Sequence, residues 1–140
     1  KWSIIVMRKL LIIDDNKDIT DILEEVARVA DFEVACVNEP GEIASSYRSF
    51  SPDLIFLDLD LGVDSDIDLS EKGFDGVNVF QFLSANNCTA TIVLISGMGS
   101  EKLKLTQEIG KELGLDVIGG IEKPFSIEKI DKLLLNLKAN

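Results

Sequence analysis

Histidine is absent from this sequence of 140 residues. Because imidazole is the side chain that most readily exchanges protons near neutral pH and is also a common metal ligand, its absence excludes histidine-based catalysis and histidine metal sites. Cysteine is scarce as well, and the two residues, Cys36 and Cys88, fit neither a metal-ligand spacing nor a dense disulfide framework. We therefore interpret both as buried free thiols in a reducing compartment.

Basic side chains and long apolar runs are also in short supply. The 14 Lys and Arg residues stand against 25 Asp and Glu residues, which gives a formal net charge of −11. Such an acidic surface lacks the basic footprint that nucleic-acid binding requires, and it disfavours docking on anionic lipid. No apolar run approaches the roughly 18 residues that span a bilayer. We therefore predict a cytoplasmic protein that binds neither nucleic acid nor membrane.

The sequence does contain enough apolar material for one core. Hydrophobic residues make up 46% of the chain and charged residues 28%, which is typical of a single folded domain. The segment Lys1–Val6 lacks the full apolar region and the cleavage site of a signal peptide, and Met7 is a plausible native start. We predict an N-terminal extension or cloning remnant over residues 1–8 and one domain over residues 9–140.

Five short apolar runs alternate with stretches of helical periodicity. The predicted strands are Lys9–Ile13, Glu33–Val37, Leu54–Leu57, Thr91–Ile95 and Val117–Ile121. The predicted helices have apolar positions from Ile19 to Ala30, a second stretch that ends near Arg48, and the segments Val77–Ser84, Glu101–Leu113 and Ile127–Leu137. Strands that are apolar throughout and separated by helices form a parallel sheet covered on both faces. We therefore predict an α/β, flavodoxin-like (βα)5 fold, a doubly wound five-stranded parallel sheet of order 2-1-3-4-5.

Polar residues occur where the predicted strands end. Asp14 and Asp15 follow the first strand, Asp58 the third, Ser96 the fourth and Lys123 the fifth. In a doubly wound sheet the carboxyl ends of the strands form the binding crevice, so these side chains should converge. A single Asp at a strand end is usually a turn residue. When four strand ends all carry side chains that suit one chemistry, they indicate a common site.

This set of side chains suits phosphoryl chemistry. Clustered carboxylates repel one another unless a cation joins them, and Mg²⁺ is a hard cation that carboxylates, water and phosphate oxygens bind. A carboxylate can also act as a nucleophile and form an aspartyl-phosphate. The ammonium of Lys123 and the hydroxyl of Ser96 can hold phosphoryl oxygens. The sequence therefore predicts a phosphoryl site at this edge of the sheet.

The same segments resemble the receiver domain of two-component response regulators. The matching motifs are LLIIDDN (Leu10–Asn16), DLIFLDLD (Asp53–Asp60), TIVLISG (Thr91–Gly97) and EKPF (Glu122–Phe125). The resemblance extends from about Arg8 to Leu137. It implies a phosphorelay signalling domain that is no enzyme beyond catalysing its own phosphorylation and dephosphorylation. Its expected partners are a histidine kinase or phosphotransfer protein, which donates the phosphoryl group, and an output domain or downstream protein.

The resemblance also implies the metal ligands and the phosphoacceptor. Asp14 and Asp15 match the acidic pair that holds Mg²⁺ or Mn²⁺. Asp58 matches the phosphoacceptor and is itself a metal ligand. Asp60 matches the position whose backbone carbonyl completes the metal site.

Two further positions match residues that handle the phosphoryl group. Ser96 resembles the hydroxyl that moves toward it, with Gly97 leaving the site open. Lys123 resembles the lysine that pairs with it, and the bond to Pro124 is often cis in the family. Only X-Pro bonds adopt that form at low cost.

The chain departs from the family pattern in two places. A Tyr or Phe is usual three residues before the lysine, whereas this chain has Gly120 there. The loop after Asp58 carries an acidic insertion over residues 62–72. Within it Asp64, Asp66 and Asp68 alternate as in a calcium loop, but Leu69 stands where glycine is required. We interpret the insertion as a solvated acidic loop.

Two alternative functions follow from particular residues. Gly120 and the altered loop are compatible with a receiver-like interaction module that signals without phosphorylation. Asp58-Leu59-Asp60 also resembles the DxD motif of haloacid-dehalogenase-type phosphatases. In that family the motif closes the first strand, whereas Asp14-Asp15 comes first here.

Overall fold

The sheet has the predicted parallel topology. The computed structural model describes residues 8–59, 76–97 and 99–139. The strands are β1 (Lys9–Ile13), β2 (Glu33–Val37), β3 (Leu54–Asp58), β4 (Thr91–Ser96) and β5 (Asp116–Glu122). All neighbours pair in parallel, in the order β2-β1-β3-β4-β5. The predicted fold class and strand order are confirmed, and the last three strands are longer than predicted by one residue at one or both ends.

Helices connect the strands and cover both faces. They are α1 (Lys17–Val29), α2 (Ile43–Phe50), α3 (Gly76–Ala85), α4 (Ser100–Glu112) and α5 (Ile127–Ala139). A short 3₁₀ turn over Pro40–Glu42 precedes α2. The beginning of α1 is fixed by Asn16, whose side-chain oxygen accepts a hydrogen bond of 2.9 Å from the Asp18 N–H. Within the described ranges, no helix combines the length and the apolar character needed to cross a bilayer.

The sheet separates two apolar layers. Strand β3 is buried at every residue, as expected for a central strand. Its residues Ile55 and Leu57 pack into the layer beneath α2, α3 and α4. Leu54 and Phe56 point the other way, into the layer beneath α1 and α5. Because both faces are packed, the carboxyl ends of the central strands have fixed positions.

Both cysteines are free, but only Cys88 is buried as predicted. Cys36 is half-buried because it lies on β2, an edge strand of the sheet. Burial, together with the neighbouring Glu24 carboxylate, raises the pKa of Cys36 to about 12. The thiol therefore stays protonated at physiological pH, and a protonated thiol is a poor nucleophile.

Several sequence-based predictions concern residues outside the described ranges. They include the carbonyl of Asp60, the acidic insertion over residues 62–72, and residues 1–7 of the predicted extension. Arg8 is described, and its guanidinium donates a hydrogen bond of 2.5 Å to the Leu137 carbonyl near the end of α5. The boundary between an extension and the domain stays a prediction.

Candidate functional site

The candidate site lies at the carboxyl edge of the sheet. Asp14 directly follows β1, Asp58 is the last residue of β3, Ser96 is the last residue of β4, and Lys123 follows β5. The strand register pairs Asp58 with Ile95 and Ser96 with Glu122. The parallel topology thus places these strand ends side by side.

Three carboxylates form a compact cluster there. One carboxylate oxygen from each of Asp14, Asp15 and Asp58 lies within 4.8 Å of the others. Asp14 and Asp58 are fully buried, at 0% exposure, whereas Asp15 is exposed. Burial of two carboxylates is costly unless charged or hydrogen-bonding partners compensate it. The cluster is therefore a functional-site candidate with a physical rationale.

Lys123 supplies positive charge to this cluster. Its Nζ lies 3.1 Å from Asp58 Oδ1 and 3.3 Å from Asp14 Oδ2. Partial burial by itself lowers the pKa of Lys123, but the charges of Asp58 and Asp14 outweigh it and hold the pKa above its ordinary value. The side chain is therefore an ammonium ion at physiological pH, and it bridges the two buried carboxylates.

Backbone and amide groups hold Asp14 in place. Its Oδ1 accepts a hydrogen bond of 2.9 Å from the Asn16 N–H, and its N–H donates to the Val37 carbonyl at 3.1 Å. The Asn38 side chain donates to the Asp14 carbonyl at 2.9 Å and to the buried Thr20 hydroxyl at 2.9 Å. By contrast, Asp14 Oδ2 is buried and accepts no hydrogen bond within the described ranges. The Lys123 ammonium lies at ion-pair distance from that oxygen, 3.3 Å.

Two of these supporting residues were missed in the sequence. Asn16 was recognised only as part of a motif, although an Asn directly before a helical pattern signals a helix N-cap. Asn38 is the polar residue that directly follows β2, so its signal is the same as that of the other polar strand ends.

Ser96 links the ends of β4 and β5. Its side chain is fully buried at 0% exposure. Its carbonyl accepts a hydrogen bond of 2.8 Å from the Lys123 N–H. The following Lys123–Pro124 peptide bond is cis, in line with the sequence-based expectation. A backbone hydrogen bond therefore joins the end of β4, which carries the Ser96 hydroxyl, to the segment after β5, which carries the Lys123 ammonium.

The arrangement can perform two chemical tasks. The three carboxylates carry more negative charge than the Lys123 ammonium neutralises, and such oxygen clusters suit a hard divalent cation. Asp58 sits between β1 and β4 at the centre of the edge, where a carboxylate nucleophile has a cationic partner at hand. The same edge therefore combines three carboxylates suited to a divalent cation with a carboxylate that can act as a nucleophile.

Comparisons with known proteins agree with this geometry. A family model described as "Response regulator receiver domain" matches residues 10–135. A response regulator from Colwellia psychrerythraea superposes with a TM-score of 0.76 at 23% identity, over 96% of this chain and 98% of that one. The chemotaxis response regulator CheY4 of Vibrio cholerae superposes with a TM-score of 0.74 at 21% identity, over 94% of this chain and 99% of that one.

A longer protein contains a similar domain. NtrX from Brucella abortus superposes with a TM-score of 0.71 at 20% identity, over 96% of this chain but only 28% of its own length. These identities are low, so the superpositions show a shared fold. The match over residues 10–135 carries the assignment to a family.

Proposed function

This chain belongs to the response regulator receiver domain family, and on that premise we propose that it accepts a phosphoryl group on Asp58 in a reaction that requires Mg²⁺ or Mn²⁺. Domains of this family are regulatory, which sets aside the alternative of a haloacid-dehalogenase-like phosphatase. The observation that carries the proposal is the pairing of a buried Asp58 with Lys123 beside two further carboxylates.

The acidic cluster fits a divalent cation. Its donors are all carboxylate oxygens, the type that Mg²⁺ prefers. Asp14 Oδ2 is buried without a hydrogen bond in the described part of the chain, and the Lys123 ammonium 3.3 Å away also compensates Asp58, so this oxygen keeps capacity to bind a cation. We propose Asp14, Asp15 and Asp58 as ligands, with the Asp60 carbonyl predicted to complete the set. A bound Mg²⁺ would neutralise negative charge on the phosphoryl oxygens.

In the proposed transfer step this chain supplies the nucleophile and the groups that bind the phosphoryl oxygens, and the donor supplies the leaving group. A carboxylate oxygen of Asp58 attacks the phosphorus of a phosphohistidine, the new O–P bond forms, and the P–N bond breaks. The imidazole of the donor leaves with the bonding electron pair and takes up a proton. The Lys123 ammonium and the Ser96 hydroxyl then bind the transferred oxygens.

The expected consequence is a shift between two conformations. Ser96 and Lys123 lie at the ends of β4 and β5, so their reorientation toward the phosphoryl group acts on the face formed by α4, β5 and α5. Partners proposed on this basis are a histidine kinase or phosphotransfer protein and an output domain or downstream protein. We propose the cytoplasm as the compartment, which suits two free cysteines.

Intact-mass measurement after incubation with acetyl phosphate tests this proposal. We expect the mass of one phosphoryl group to be gained in the presence of Mg²⁺ and no gain in excess EDTA, because the carboxylate cluster needs a cation to admit a phosphate. A phosphohistidine donor serves as the second donor in the same assay.

Failure with both donors, in folded protein that binds Mg²⁺, would contradict the proposal. That result would favour the alternative of an interaction module that signals without phosphorylation. Gain of equal size in Mg²⁺ and in EDTA would contradict the proposed metal requirement alone.

A further inference from the structure

A leucine from α4 fills the space above Gly120 of β5. A Cβ atom at Gly120 would lie 2.5 Å from Cδ2, 2.6 Å from Cγ and 2.8 Å from Cδ1 of Leu103. Atoms do not approach so closely, so Leu103 occupies the volume that any side chain at position 120 would need. Leu103 itself is buried, at 8% exposure.

A second glycine brings the same helix close to the same strand. A Cβ atom at Gly110 of α4 would lie 2.7 Å from Val117 Cγ2 and 3.1 Å from the Phe80 ring. One glycine on the helix and one on the strand thus permit close contact at both ends of the α4–β5 interface. The Leu103 contact on Gly120 is the end nearer to the site, since the next strand residues lead to Lys123.

Both elements of this contact lead directly into the site. Helix α4 follows Ser96 after a short loop, in which Gly99 has a positive φ of 93°. Strand β5 runs from Gly120 to Lys123, and the Lys123 N–H binds the Ser96 carbonyl. A displacement of the hydroxyl or of the ammonium therefore acts on the two elements that Leu103 joins.

We propose that Leu103 is the positioning residue that couples the phosphoryl site to the outer face of α4 and β5. The coupling rests on the proposed phosphorylation of Asp58. When Ser96 and Lys123 turn toward a phosphoryl group, α4 shifts as a unit and Leu103 takes a new position over Gly120. Packed interfaces of this kind change between discrete arrangements rather than deforming continuously.

The wild-type protein provides the first test, because Leu103 carries two methyl groups that NMR can follow. Acetyl phosphate and Mg²⁺ are added, and intact mass is read from the same sample. We expect the Leu103 methyl resonances to shift with the fraction phosphorylated. The methyls of Leu23, a fully buried residue of α1 outside the face formed by α4, β5 and α5, serve as the reference and should shift much less.

The two readouts separate the two proposals. A gain of mass without a shift at Leu103 would overturn the coupling and leave the proposed function standing. No gain of mass with acetyl phosphate or a phosphohistidine donor would overturn the proposed function, and the coupling with it.

Variants provide the second test, with amide hydrogen exchange of α4 and β5 as the readout. Leu103→Ala should still gain a phosphoryl group but lose the phosphorylation-dependent change in exchange along β5. Leu103→Met, of similar volume, should restore that change. Leu105→Ala is the matched control, since Leu105 lies on the same helix with 65% exposure, and it should behave as wild type. A full exchange response in Leu103→Ala would overturn the coupling.

Discussion

Asp58→Asn is expected to abolish phosphoryl acceptance and to make the metal-free protein more stable. The first effect follows because an amide oxygen is not a nucleophile of comparable strength. The second follows because Asp58 is fully buried among like charges, with oxygens of Asp14 and Asp15 within 4.8 Å. An asparagine keeps an oxygen for the Lys123 ammonium while the repulsion is removed.

The size of the stabilisation reflects opposing electrostatic effects. The substitution removes the repulsion of Asp58 by Asp14 and Asp15 and the cost of burying its charge, and it weakens the attraction to Lys123. We expect the stabilising effects to exceed the loss by about 1–2 kcal/mol in the free energy of unfolding. For a domain of this length the Tm should rise by roughly 3–8 °C in EDTA. Saturating Mg²⁺ should shrink this difference, because the cation stabilises the wild type by binding its folded form.

Asp116→Asn is the matched control for this variant. Asp116 is exposed at the opposite end of the sheet, where it accepts a hydrogen bond of 3.1 Å from the Thr91 hydroxyl. The Asp116→Asn variant should accept a phosphoryl group as the wild type does, and its free energy of unfolding should not increase. If Asp58→Asn were less stable than wild type in EDTA, repulsion would not dominate at this site, and undiminished labelling would remove Asp58 as the acceptor.

Lys123→Met should change stability in the opposite direction. The substitution removes the ammonium that lies 3.1 Å from Asp58 and 3.3 Å from Asp14, and it keeps most of the apolar stem. Loss of one partner from a buried charge group costs about 3 kcal/mol, because the remaining carboxylates lose compensation. We expect that loss in EDTA, measured by urea unfolding, and substantial recovery when Mg²⁺ is added.

The same ion pairs predict how stability depends on pH. Since the folded-state pKa of Lys123 is raised, its contribution is complete below the unfolded-state pKa of about 10.4 and is lost as the pH rises through the folded-state value. The difference in stability between wild type and Lys123→Met should therefore be constant at neutral pH and shrink only in strongly alkaline solution.

Lys17→Met is the control for removal of a lysine from an ion pair. Its partner Asp21 lies one helical turn away, and both side chains are more than half exposed. Exposed pairs of this kind contribute little, so the variant should unfold like the wild type. Equal stability of Lys123→Met and wild type in EDTA would show that Lys123 does not compensate the buried carboxylates.

The location of the site could be predicted because it depends on topology alone. Once five apolar strands separated by helices indicate a parallel sheet, the residues after each strand must meet at one edge. Asp14, Asp58, Ser96 and Lys123 were found in this way, without any knowledge of distances. The predicted strand limits differ from the observed ones by one residue at most, because strand pairing continues one residue into the polar positions, as at Asp58 and Ser96.

Features that depend on the third dimension could not be predicted. Topology places Asn38 at the same edge as Asp14, but it does not show that the Asn38 amide reaches the Asp14 carbonyl, because strand order fixes which ends are neighbours and not which side chains make contact. Gly120 was visible as a missing aromatic, but the neighbour that fills its space depends on how closely α4 packs on β5. Leu103 is one of several apolar residues in the predicted helix Glu101–Leu113, and nothing in the sequence distinguishes it from the others.

The most direct measurement of the central claim locates the phosphoryl group itself. Protein labelled with acetyl phosphate and Mg²⁺ is reduced with borohydride, which converts an aspartyl-phosphate to homoserine, and the peptides are then sequenced by mass spectrometry. The account predicts homoserine at position 58 and nowhere else. Homoserine at another aspartate, or a labelled protein with none at all, would contradict the assignment of Asp58 as the phosphoacceptor.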